Sequence, residues 1–298
     1  MRAALTAMVM MLALFAAPRA HAFIFDREED YGRVVQSVNL VLADQIFSMP
    51  HPSAIDEDPA AARAALAQWA QGAAIALDAQ LRRGTELRDP PRSRNRARRA
   101  AMRVQADSMS HFMIAFGLML NEVDHFAAAD PRVLAAQQAW YADAFYDART
   151  LALRIQKDLA FAQSTLSDNA LAAASLLVLA HSTDIQLELS RAAHNRAHGA
   201  RVNGLDMAAR LENAAQAMIV ALAQARAQLP NGGDNAIVWQ DCLDHEARIA
   251  DAAVSLARDV RGEGDSGYSG AGAAMDRLLA LYRDRPSRTI SFAMTFTL

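Results

Sequence analysis

The sequence predicts an all-α protein, an antiparallel bundle of seven or eight long helices with a short terminal β-strand element. Three observations predict it. Apolar residues recur at three- and four-residue spacing through nearly everything after Phe23, in Ala-rich runs with little internal Gly or Pro. Clusters of Pro, Gly and Asp punctuate those runs at intervals suited to long helices. Strict alternation, the mark of a strand, is kept for the C-terminal segment Thr289–Leu298.

The elements follow in order. Arg2 gives a positive start, Ala7–Ala17 is an unbroken apolar run, Pro18-Arg19 breaks it, and Ala20-His21-Ala22 offers small residues to a signal peptidase. Residues 1–22 therefore read as a secretory signal peptide, removed after Ala22 and too short for a permanent membrane span. Residues 23–288 form the helical bundle. Its first helix is predicted over 26–47, with Val34, Val35, Val38, Val41, Leu42 and Ile46 on one side and Pro50-His51-Pro52 as its stop. Asp58-Pro59 supplies an N-cap and first-turn pair for a second helix to Leu87, halted by Asp89-Pro90-Pro91. A third helix is expected over 95–128, and a fourth from Asp130-Pro131 to Leu166. Ser167 is read as the cap of a fifth helix ending at His198, before Gly199. Helices over 205–228, 235–261 and 273–283 complete the bundle, the last after a Gly-rich connector at 262–272. The tail, 289–298, sets Ile290, Phe292, Met294, Phe296 and Leu298 on one side. A lone strand is not stable in water, so the tail pairs with Phe23-Ile24-Phe25 or adds to a partner's sheet.

Composition narrows the function classes. The chain of 298 residues carries a formal charge of −3, and loss of Arg2 and Arg19 with the signal leaves 28 basic and 33 acidic residues. A mildly acidic exported protein has no global attraction to nucleic acid. Cys242 is the single cysteine, so no intramolecular disulfide exists and packing must hold the fold. Its place on the seam of the seventh helix reads as a small buried hydrophobe. No apolar segment of the mature chain is expected to be long enough to span a membrane; the best, Phe112–Leu120, covers nine residues. The expected location is the periplasm or the exterior.

The sharpest polar constellation lies on the third helix, where Asp107, His111, Glu122 and His125 fall within about 40° of one line. Glu122-x-x-His125 has the spacing by which ferritin-like bundles present ligands inward, and the donor set suits Fe, Mn or Zn. A di-metal site needs further ligands from facing helices. His181 with Asp184, and Asp241 with His245 and Glu246, are present there, but none repeats the spacing. His194 and His198 have the spacing of a two-histidine clamp, yet they stand in a last turn where imidazoles favour the helix dipole, and they read as end caps. The Gly-rich connector fits neither nucleotide fingerprint. No nucleophile elbow or acid–base pair points to an enzyme. The basic run Arg92, Arg94, Arg96, Arg98, Arg99 and Arg103 reads as a solvated face or a dock for an acidic partner or anionic lipid, with Arg96 and Arg99 the contacts to test.

Phe25-Asp26, Tyr31 and the helix through Val34, Val38 and Leu42 resemble the opening of the VirB5/TrbJ-like family. The late Ala/Leu-rich helix from Ser167 through Arg196 is similar too. The chain departs from that family in lacking a Gln-rich stretch after the first helix and in its alternating tail. The resemblance implies an exported, non-enzymatic helical subunit of a type IV secretion or conjugation assembly, working through protein contacts or as a homo-oligomer, without a cofactor. The alternative is a periplasmic metal- or small-ligand-binding bundle using Asp107, His111, Glu122 and His125.

Overall fold

The computed structural model describes residues 28–87, 90–91, 95–127, 134–200, 202–232, 234–263 and 273–284. Among the described residues there are nine helices and no strand: α1 Glu28–Phe47, α2 Ser53–Glu57, α3 Pro59–Leu87, α4 Arg96–Ala127, α5 Leu134–Leu166, α6 Ala170–Ala197, α7 Gly204–Ala227, α8 Asp234–Glu263 and α9 Ala273–Arg283. The signal segment, Phe23–Phe25, Arg92, Arg94, the Gly-rich connector from Gly264 and the tail Thr289–Leu298 lie outside the described residues.

Local chemistry sets the helix starts. Asp58 accepts from the amides of Ala60 and Ala61, both at 3.1 Å, with Pro59 in the first turn as its lack of an N–H favours. Asn95 caps α4 through the amide of Ala97 at 2.9 Å, and Asn203 caps α7 through Asp206 at 3.1 Å. The cap of α6 is Asn169, whose Oδ1 accepts from Ala172, and not Ser167. The Ser167 hydroxyl instead accepts from the Asn169 amide and shapes the turn before the helix. The one-turn helix α2 was not expected. His51 makes it possible, because its Nδ1 accepts from the Ser53 amide at 3.2 Å and stands in for a cap between the two prolines.

Each helix from α3 to α9 packs against the next, and α1 closes against α3, α4 and α5. Two hydrophobic cores result. The first joins Val38, Leu42 and Ile46 of α1 to Leu66 and Leu77 of α3, Phe112 and Phe116 of α4, and Tyr141, Phe145 and Leu159 of α5. The second joins Ile185 and Leu189 of α6 to Leu211 and Met218 of α7, Ile249 and Leu256 of α8, and Leu278 of α9. Burial of these side chains, at roughly 1.5–3 kcal/mol each, replaces the missing disulfides. Cys242 is buried as a free thiol. Tyr141 donates to the Pro50 carbonyl and ties the loop after α1 to α5, while Trp69 donates to Gln45 O at 2.8 Å and ties α3 to the last turn of α1.

The α5–α6 seam joins the two cores. Near the turn between the helices it is apolar, with Ala160 facing Leu176, Leu179 and Ala180. Farther along it turns polar. Although no uninterrupted apolar run marks it, α6 is long and apolar enough to cross a membrane by length and composition, with a mean hydropathy of 1.3 over its best window. The same composition suits a helix enclosed by two neighbours, and α6 packs against both α5 and α7.

Candidate functional site

On α6, His181, Asp184, Glu188 and Arg191 recur at steps of three and four, which gathers them within about 80° of the helix circumference. On α5, Asp143, Asp147, Thr150, Arg154 and Lys157 do the same. The antiparallel register sets these stripes against each other. Lys157 pairs with Asp184, Thr150 Oγ1 lies 3.2 Å from Ser190 Oγ, Tyr146 meets the His194 ring edge-on at 5.8 Å, and Asp143 pairs with His198. These rungs run for about 20 Å, fourteen residues of α5 at helical rise. From α7, Arg210, Asn213, Ala214 and Ala217 form a second wall, and the small alanines leave room. The three helices enclose a cleft of about 550 Å³, of the size that takes small ligands.

Charge of both signs is held inside. Burial pushes the Glu188 carboxyl above the usual carboxylate range, and the facing Arg210 only partly opposes it. Arg210 Nε lies 2.8 Å from Glu188 Oε2 and Arg191 Nη2 lies 3.0 Å from the same oxygen. Burial acts upward on Asp184 too, but hydrogen bonds from His181 and Lys157 and the lysine charge hold its carboxyl below the ordinary value. Three groups have spare capacity. Arg210 Nη2 is buried with no hydrogen-bond partner among the described residues. Asp147 and Arg154, both exposed at the cleft, make no ion pair among the described residues.

At the end of the cleft, Asp143, His194 and His198 each bring one potential ligand atom within 4.8 Å of the others, the one such trio among the described residues. The histidine rings lie 4.6 Å apart, centroid to centroid, and His194 Nδ1 is buried without a hydrogen-bond partner among the described residues. The end-cap expectation for these histidines thus gives way to a side-chain cluster. The helix is closed by backbone instead: Gly199 adopts φ +64°, a left-handed conformation suited to glycine, and Ala200 donates to Asn195 O at 2.8 Å.

The four residues singled out on α4 are placed differently. Asp107, His111, Glu122 and His125 are all exposed, and they join no trio of metal-ligand atoms among the described residues. Their common line faces away from the core, where a ferritin-like centre would need them to face inward. His245 is buried and its Nε2 meets Leu281 O at 3.0 Å, a tie between α8 and α9. Arg96, Arg99 and Arg103 are exposed on α4, while Arg98 pairs with Asp168 across the α5–α6 turn. Ile290, Phe292, Met294, Phe296 and Leu298 lie outside the described residues. The cleft left one signal in the sequence, the polar stripes at helical period within otherwise apolar α5 and α6. Comparison with protein-family models, with curated proteins and with solved structures gives no match to this chain.

Proposed function

We propose that this is an exported helical binding protein that takes a small zwitterion, of amino-acid or dipeptide size, in the α5–α6–α7 cleft. One observation carries the reading: charges of opposite sign that make no ion pair among the described residues, Asp147 and Arg154, border a single cleft that also holds Arg210 Nη2, unpartnered among those residues. The two lie seven residues apart on α5, about 10 Å along the helix, so one molecule with an amine and a carboxylate can engage both. Export rests on the sequence of residues 1–22. The test is isothermal calorimetry of the mature chain against a panel of amino acids and dipeptides. At least one compound binds, and Asp147→Asn and Arg154→Gln each weaken it tenfold or more. Absence of binding across the panel would refute the reading.

A second reading keeps the chain as a subunit of an envelope or secretion assembly. It is supported by the alternating tail with Ile290, Phe292, Met294, Phe296 and Leu298, by the exposed Arg96 and Arg99, and by the VirB5/TrbJ-like resemblance. A partner's sheet would receive the tail through backbone pairing.

A further inference from the structure

We infer that Asp143, His194 and His198 bind a divalent transition-metal ion and clamp the last full turn of α6 to α5. The inference goes beyond ligand binding in the cleft and stands on different residues. His194 in the last turn of α6 and His198 just past its end lie one turn apart, and Asp143 reaches them from α5, so one ligand atom from each lies within 4.8 Å of the other two. A two-histidine clamp on a single helix holds an ion by that helix alone. The carboxylate from a second helix turns it into a cross-link.

The donor set selects the ion. Two imidazoles and one carboxylate suit Zn²⁺ and its first-row neighbours, whereas Ca²⁺ and Mg²⁺ require sets built from oxygen. Three protein ligands leave a coordination position open. His194 also lines the cleft, so the trio adjoins the space assigned to the zwitterion. The surroundings fit the role. Tyr146 stands edge-on to the His194 ring at 5.8 Å, while His194 Nδ1 is buried with no hydrogen-bond partner among the described residues. His198 and Asp143 are already paired, and their side chains are 43% and 41% exposed, free to part by the small distance an ion between them needs. Asp107, His111, Glu122 and His125 lack this property, since all four belong to one exposed face of α4.

The experiment is a Zn²⁺ titration of the full mature chain in competition with a chromophoric chelator, with thermal unfolding followed in parallel. One ion binds per chain and raises the melting temperature. His194→Ala, His198→Ala and Asp143→Asn each weaken binding at least tenfold and abolish the thermal shift, while the double variant His111→Ala/His125→Ala binds as the wild type does. Asp143→Asn keeps the side-chain shape at a partly exposed position. Unchanged circular dichroism of that variant shows that its loss of zinc is not a loss of fold. Wild-type affinity in Asp143→Asn, or loss of binding in the α4 double variant, would overturn the assignment. The two readings fail separately: loss of zinc with amino-acid binding retained removes this site alone, and the converse removes the zwitterion reading alone.

Discussion

Replacing Arg210 by Met removes a guanidinium from the cleft while keeping most of the aliphatic stem, and the consequence can be worked out from Glu188. Burial holds that carboxyl above its ordinary 4.5, with Arg210 opposing the shift. A carboxyl whose folded pKa is raised keeps its proton more tightly in the folded chain than in the unfolded one. Its contribution to stability is therefore complete below the unfolded pKa and is lost as pH rises through the folded value. Without Arg210 the folded value climbs further, so the loss at neutral pH grows. The pair lies between two limits. Exposed pairs contribute about 0–1 kcal/mol, and breaking a buried pair costs about 3–5 kcal/mol. Glu188 is 13% exposed but Arg210 is 39% exposed, and Arg191 stays 3.0 Å from the same carboxylate. About 2 kcal/mol of destabilisation is expected at pH 7.5. Urea unfolding followed by circular dichroism measures it, and at pH 4.5, below the raised folded value, the difference from wild type shrinks as Glu188 takes up its proton. Other carboxylates titrate in both proteins and cancel in the comparison. Arg210→Met/Glu188→Gln, with neither charge, recovers about half of the loss. Equal destabilisation at both pH values, with no recovery in the double variant, would show that Arg210 acts through its packing and not through the Glu188 charge.

Two further outcomes are expected. A Cβ on Gly117 would meet only Leu77 Cδ2, at 3.3 Å, the end of a flexible side chain, so Gly117→Ala gains the helix propensity and stabilises the chain by about 0.5 kcal/mol in urea unfolding. Gly117→Leu overfills the α3–α4 contact and destabilises by about 2 kcal/mol, and a neutral result would remove the contact from the packing account. Deleting Thr289–Leu298 leaves helicity unchanged but abolishes oligomerisation or capture of an envelope partner; wild-type assembly by the truncated chain would sink the assembly reading.

The helices were legible because their signals are local. Asp58-Pro59 specifies a start within three residues, and the apolar stripe of α1 specifies its buried side without reference to any other helix. The one-turn α2 has no such local signal, because the side chain that caps it is a histidine and not Ser, Thr, Asp or Asn. Ser167 and Asn169 are both good caps, and only the geometry of the turn decides between them. On α4, the spacing of Asp107, His111, Glu122 and His125 was read well as a common line, but spacing fixes only that residues share a face. Which face it is depends on where the neighbouring apolar stripe points, and here Phe112, Phe116 and Leu120 take the core side.

The trio at the end of the cleft shows where one-helix reasoning stops. His194 and His198 are visible as a pair from sequence, but Asp143 lies 55 positions from its partner His198 and belongs to a different helix. It reaches the histidines only because the α5–α6 turn sets a register in which Lys157 also meets Asp184 and Thr150 meets Ser190. That register is fixed at the turn by the apolar contact of Ala160 with Leu176, Leu179 and Ala180. A seam needed only to join two cores would continue in the same apolar residues, since well-packed hydrophobic replacements for buried ion pairs are often neutral or stabilising. Here the apolar part sets the alignment and the polar part uses it. Charges that an apolar seam would do without are brought together along the cleft, and that division along one seam is the physical ground for proposing the cleft as a binding site.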